Sequence, residues 1–393
     1  MHKKFKLNFG DSRVNISALL LVLFGSLMIA SAEMGNSAGD TSYLTSVIIR
    51  QAVYAVLGII VYIFLTNFRV LRFHTYLYWV AYGLILILLL ATRLFGEIGG
   101  AYAWIVLGGG ATIQPSEFAK VFMIAFAAKI FSKDLKEENM NNYKNYAIAS
   151  IAYFLIILVY QHDLGSAAVL IVICYCCLMI PGYKELRKLQ NIMSYIVIGA
   201  LVAALIVLSP PVTEFLKNHS DSYMVGRFLA AADPFLYQYD IGYHVIMSLV
   251  SFANGGLFGL GYGNSIHKYM NFPNPSNDFI LPVIVEELGF AGFAFLILLY
   301  TLLLYPIIRG SFKSKTMSGK IILLGVFIYF ITHFILNVGG VGGLIPLTGV
   351  PLLMISSGGS SLMASLASLG LAQNELIKIK KAEEKDENNS GQI

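Results

Sequence analysis

Runs of about twenty consecutive apolar residues recur from one end of this chain to the other. A bilayer core of about 30 Å takes about that many residues for a helix to cross. Inside such a core every backbone amide must be satisfied within its own segment, so the chain is expected to be an all-α polytopic membrane protein. Composition agrees: 57% of the 393 residues are hydrophobic and 12% are charged, against about a quarter charged in a soluble domain. Ten spans are expected, at about 16–32, 44–66, 74–95, 116–131, 144–160, 165–181, 192–208, 282–308, 320–337 and 353–376.

Lys and Arg set the orientation. The loops 67–73, 132–143, 182–191 and 309–319, with both termini, hold nearly all of them, whereas 33–43, 161–164 and 338–352 hold none. Cytoplasmic loops carry the basic excess, so both termini are expected inside and the long loop 209–281 outside. The net charge of +5 follows from these short loops and does not indicate nucleic-acid binding. Ala30-Ser31-Ala32 ends the first span in the manner of a cleavage site. The long apolar core before it favours an uncleaved span. Cys174, Cys176 and Cys177 sit in one apolar run without zinc spacing and read as inert. Residues 1–376 form the membrane domain, and the charged, then Asn/Ser-rich, stretch 377–393 reads as a disordered cytoplasmic tail.

Against this background the ionisable residues at span ends stand out, because charge in a membrane is costly and by default marks a function. Glu117 and Lys120 fall in the first turns of the fourth span, after Gln114-Pro115-Ser116. Three residues apart, they share a face and can pair, either structurally or as part of a site. Arg50 and His333 lie in the outer parts of their spans. Asp278 stands between Pro273/Pro275 and Pro282, just ahead of Glu286 and Glu287. The plain alternatives are an N-cap for Asn277 or Asp278 and a dipole contact for the glutamates.

The outer loop carries its own signals. Ile241, Val245, Leu249 and Phe252 recur at helical spacing, giving an apolar face that suits the membrane surface. Five glycines follow within Gly255–Gly263. They suit either an anion cradle or close packing of backbone on a helix, and packing is the stronger reading. Arg227 and Lys268 are candidate phosphate contacts.

Several stretches then resemble one family. DPFLYQYDIGYHVIMSLVSFANGGLFGLGYGNSIHKY, NDFILPVIVEELGFAG and PLTGVPLLMISSGGSSL, with WIVLGGGATIQPSEFAK at 104–120 and QHDLGSA at 161–167, are similar to the SEDS proteins (shape, elongation, division and sporulation) of the FtsW and RodA type. The resemblance spans nearly the whole chain and its motifs occur in order. It departs at Asn277 for Thr, Asn274 for Glu, His162 for Pro, and at Leu353, Met354 and Ser357. Gly263-Asn264-Ser265 with Lys268 lies nearer the division branch than the elongation branch.

The resemblance implies a peptidoglycan glycosyltransferase that polymerises lipid II at the outer face of the bacterial cytoplasmic membrane, at septum or sidewall. Its implied partners are a class B penicillin-binding protein and other divisome or elongasome membrane proteins. A lipid II flippase and a non-catalytic scaffold are the rival readings. A transporter would place its polar site near the midplane, whereas here the charges lie in the outer leaflet. The resemblance makes Asp278 the catalytic aspartate, a carboxylate able to take the attacking hydroxyl's proton as general base. Trp104, Glu117, Lys120, Arg227, Lys268, Glu286, Glu287, Ser360 and Ser361 become the expected substrate contacts. A divalent cation, magnesium or manganese, is a further candidate for carrying pyrophosphate charge.

Overall fold

The computed structural model describes residues 8–390 apart from 38, 109–110, 133–137, 183, 208, 210–211, 213–225, 227–228, 230, 240 and 271–273. Helices α1 (Ser12–Ser37), α2 (Thr41–Asn67) and α3 (Thr75–Ala91) come first, followed by a hairpin of β1 (Ile105–Gly108) and β2 (Ala111–Ile113). Then come α4 (Pro115–Ile130), α5 (Glu138–Leu155), α6 (Leu164–Met179) and α7 (Arg187–Val207). The segment between α7 and α9 contains α8 (Ile241–Gly255), and α9 (Ile280–Lys313), α10 (Met317–Val341) and α11 (Gly359–Ser390) complete the chain. All but α8 overlap the expected spans. Among the described residues, six helical stretches are long and apolar enough to cross a membrane: Ser12–Ser37, Thr41–Asn67, Thr75–Phe95, Met140–Tyr160, Ile280–Lys313 and Met317–Val341.

The middle of the bundle is α4, which touches α3, α5, α6, α10 and α11. Pro115 opens it at a first-turn position, where a missing N–H costs nothing. Most of its side chains are buried, including the polar first turn Ser116, Glu117 and Lys120. Around it α11 runs along α2, and α1 runs along α9.

The glycine-rich stretch 255–263 and α9 explain each other. Gly289, with φ 68° and ψ −168°, breaks the helix, so the carbonyls of Glu286 and Glu287 lose their usual partners four residues on. Leu260 N and Gly261 N donate to those carbonyls instead, each at 2.9 Å. In return Phe290 N and Ala291 N donate to Gly256 O (2.9 Å) and Leu257 O (3.0 Å). A Cβ on Gly259 would collide with the Glu287 carbonyl, and one on Gly289 with the Leu257 backbone. Close packing against a broken helix therefore accounts for the glycines.

Three expectations change. The face of α8 bearing Val245 and Phe252 is turned to the protein: Val245 is buried, Phe252 lies against the core, and the helix packs on α9. Helix α11 starts at Gly359, six residues after the expected 353, because Leu352–Ser356 turns on itself. Ile355 N and Ser356 N both donate to Leu352 O, at 3.1 and 2.9 Å, and Met354 has a φ of 65°. Finally, the tail expected to be disordered continues α11 to Ser390. Its lysines and glutamates are good helix formers, and Lys313–Glu383 and Lys315–Asp386, both 2.7 Å, tie it to the residues joining α9 and α10.

Candidate active site

Asp278 lies half-buried at the mouth of α9. Phe279 occupies the cap position and makes no side-chain cap bond, so Asp278 precedes the cap and the N-cap reading does not hold. The segment is moored by three successive carbonyls. Ser276 O accepts from Ser357 N at 2.7 Å, Asn277 O from Ser356 Oγ at 2.7 Å, and Asp278 O from Asn337 Nδ2 at 2.8 Å. The same Asn337 amide also donates to Val350 O at 2.9 Å. Gly349, with φ 67°, borders the carboxylate, and a Cβ there would stand 3.8 Å from Asp278 Oδ2. Because backbone carbonyls carry this mooring, the side-chain departure at Asn277 leaves it intact. On the other flank the Ser276 hydroxyl donates to Glu33, which also accepts from Tyr43 OH (2.9 Å) and Asn36 Nδ2 (3.0 Å).

Glu117 and Lys120 form a salt bridge of 2.6 Å, each 1% exposed. The Lys120 ammonium also faces His333 Nε2 at 3.2 Å, and Tyr329 OH donates to Glu117 Oε2 at 3.3 Å. His333 Nδ1 donates to Pro351 O at 3.0 Å. The pair thus lies behind the loop that borders Asp278. An ion pair this buried costs about 3–5 kcal/mol when one partner is removed.

The expected substrate contacts Glu286, Glu287 and Lys268 take a different place. Lys268 Nζ bonds Glu287 Oε1 at 2.8 Å and Ser31 Oγ at 3.0 Å, while the Ser31 hydroxyl donates to both Glu287 oxygens at 2.6 and 2.7 Å. Glu286 accepts from His267 Nδ1 at 2.6 Å and Ser265 Oγ at 2.5 Å. Both glutamates are wholly inaccessible, and the lysine nearly so. They lock residues 265–268 onto the helix break, and the acids have no free oxygen surface for a ligand.

Of the remaining expected contacts, Trp104 is half-buried just before β1. Ser360 Oγ accepts from Gln114 N at 2.9 Å, pinning the hairpin exit to the start of α11. Ser361 donates to Gly358 O at 3.0 Å within its own turn. Gln114 Nε2 bonds Asp163 Oδ2 at 2.8 Å, which joins the mouth of α4 to that of α6. Arg227 lies outside the described residues. Among the described residues no group of three or more His, Cys, Asp or Glu converges.

Sequence reasoning missed Glu33, Asn337 and Ser356. Asn337 had a legible signal, since it follows the already noted His333 by four residues on an otherwise apolar span. Ser356 had none, because its partner Asn277 is 79 residues away.

The model of the FtsW/RodA/SpoVE cell cycle protein family matches residues 12–381. Stage V sporulation protein E of Bacillus subtilis is 31% identical over 372 residues, covering 93% of this chain and 96% of that protein. A probable peptidoglycan glycosyltransferase FtsW of Enterococcus hirae is 32% identical over 370 residues, covering 91% and 89%. Among solved structures, a chain of a peptidoglycan synthase complex that coordinates polymerization and crosslinking superposes with a TM-score of 0.72 at 26% identity, covering 94% of this chain and 98% of that one. The rod shape determining protein RodA of Thermus thermophilus gives 0.63 at 26% identity, covering 94% and 97%. With its motifs, its helical order and this match over nearly its full length, the chain belongs to the FtsW/RodA/SpoVE family of cell cycle proteins, the SEDS family.

Proposed function

We infer that this multi-pass membrane protein is a peptidoglycan glycosyltransferase that polymerises lipid II, with Asp278 as its general base. The carrying observation is the mooring of Ser276, Asn277 and Asp278 by three successive carbonyls, which holds one carboxylate still at the entrance of a span. A fixed base is what the chemistry needs. The 4-hydroxyl of one lipid-linked disaccharide attacks the anomeric carbon of another, and Asp278 accepts the hydroxyl proton as that bond forms. The bond from the anomeric carbon to the pyrophosphate oxygen breaks, and polyprenyl pyrophosphate leaves with the electron pair. A well-placed base contributes about 10²–10⁴ in rate.

Lys120 and Lys268 are each engaged by a glutamate, which favours Arg227 or a divalent cation as the carrier of the leaving pyrophosphate's charge. Both termini are cytoplasmic and Asp278 works at the outer face, following the asymmetry of Lys and Arg between loops. A class B penicillin-binding protein, which would crosslink the strands, is the partner this reaction calls for, within a divisome or elongasome. Polymerisation of lipid II by the purified protein, alone and with that partner, tests the reading. Glycan strands are the expected product, and their absence under both conditions would contradict it.

A further inference from the structure

His333 and Asn337, four residues apart on α10, lie on one helix face and bond to two successive carbonyls of a single loop. Asn337 Nδ2 donates to Val350 O at 2.9 Å, and His333 Nδ1 donates to Pro351 O at 3.0 Å. Each side chain has a second attachment. Asn337 holds the Asp278 carbonyl at 2.8 Å, and His333 Nε2 faces the Lys120 ammonium at 3.2 Å. An unbroken polar path therefore runs from the buried Glu117–Lys120 pair through His333, Pro351, Val350 and Asn337 to Asp278.

The imidazole has one consistent arrangement in this path. A carbonyl can only accept, so Nδ1 carries the hydrogen. Nε2 then offers its lone pair to the ammonium. His333 has no exposed surface, so it meets no substrate, and packing alone would be served at lower desolvation cost by an aliphatic side chain. Its two polar contacts face opposite partners, one on α4 and one in the loop beside Gly349 and Asp278.

We propose that His333 is a positioning residue for glycan polymerisation, a strut that ties the Glu117–Lys120 pair to the loop beside Asp278 and thereby sets where the carboxylate stands. This rests on the reading of Asp278 as the base. A glutamine can reproduce both bonds, since its amide offers one acceptor and a donor. Leucine reproduces neither, leaving Pro351 O without its donor and Lys120 with Glu117 alone.

The test is steady-state polymerisation of lipid II by the purified full chain with its partner, comparing wild type, His333→Leu, His333→Gln and Asp278→Asn. His333→Leu is expected to lower kcat by about ten- to a hundred-fold, as for a reacting group held loosely, with KM for lipid II little changed. His333→Gln is expected to restore most of that loss. In the Glu117→Gln/Lys120→Met background, which leaves no stranded charge, the leucine change should add little, because the strut then has no charge to brace against. Where His333→Leu does not fold, His333→Asn replaces it, being polar but too short to span both partners. Wild-type kcat in the leucine or asparagine variant, or a glutamine variant as slow as leucine, would overturn the proposal. Asp278→Asn keeps the two readings apart. If it is inactive while His333→Leu is fully active, only the strut is lost, whereas an active Asp278→Asn removes the base reading itself.

Discussion

The side-chain amide of Asn337 and the backbone carbonyl of Asp278 lie 2.8 Å apart, joining α10 to the mouth of α9 across 59 residues of chain. Val350 O hangs on the same nitrogen at 2.9 Å. One buried amide thus fixes the spacing between the acid and the loop that borders it.

Asn337→Leu keeps the volume and removes both donations. Each buried carbonyl left without a partner costs about 1–3 kcal/mol. A lower thermal midpoint is expected in detergent, together with a fall in kcat for polymerisation and little change in KM. A variant with the stability loss but full kcat would show that Asn337 does not place Asp278.

The Glu117–Lys120 pair separates structure from chemistry. Glu117→Gln or Lys120→Met strands a charge where both partners are 1% exposed, at about 3–5 kcal/mol. Each single variant should give less folded protein. The double variant should recover yield, because no unpaired charge remains, while polymerisation stays reduced since His333 has lost its ammonium partner. Full activity in the double variant would make the pair purely structural.

Gly259 tests the interlock between the glycine-rich stretch and α9. A side chain there meets the Glu287 carbonyl, and the residue's φ of 77° already disfavours anything but glycine. Gly259→Ala should cost about 1–3 kcal/mol through backbone strain alone, visible as a lower thermal midpoint and faster proteolysis of the loop ahead of α9. An unchanged midpoint would argue against the exchange of backbone bonds at the Gly289 break.

Much of this architecture is legible in the sequence. The apolar runs at 44–66 and 320–337 fall inside α2 and α10, because membrane insertion depends on local composition. Packing as the use of the glycines was also legible, since they lack a lysine and hydroxyl ending. The committed states of Glu286, Glu287 and Lys268 were not. Adjacent acids at a span entrance look like ligands until Ser31, His267 and Lys268 are brought to them from two other parts of the chain. The helical tail is hidden for a related reason: its charges resemble solvated disorder until Lys313 and Lys315 supply fixed partners.

The proposed chemistry turns on the Asp278 carboxylate. Asp278→Asn preserves shape and leaves the backbone mooring of residues 276–278 untouched, because Ser357, Ser356 and Asn337 all bond to carbonyls. It removes only the proton acceptor, a change of about 3–5 kcal/mol in transition-state stabilisation for a 10²–10⁴-fold effect. The most direct measurement is lipid II polymerisation by purified Asp278→Asn protein bound to its partner, beside wild type at matched folded concentration. Normal folding, lipid II binding and partner association, with polymerisation abolished, are expected; polymerisation at the wild-type rate would rule out Asp278 as the base.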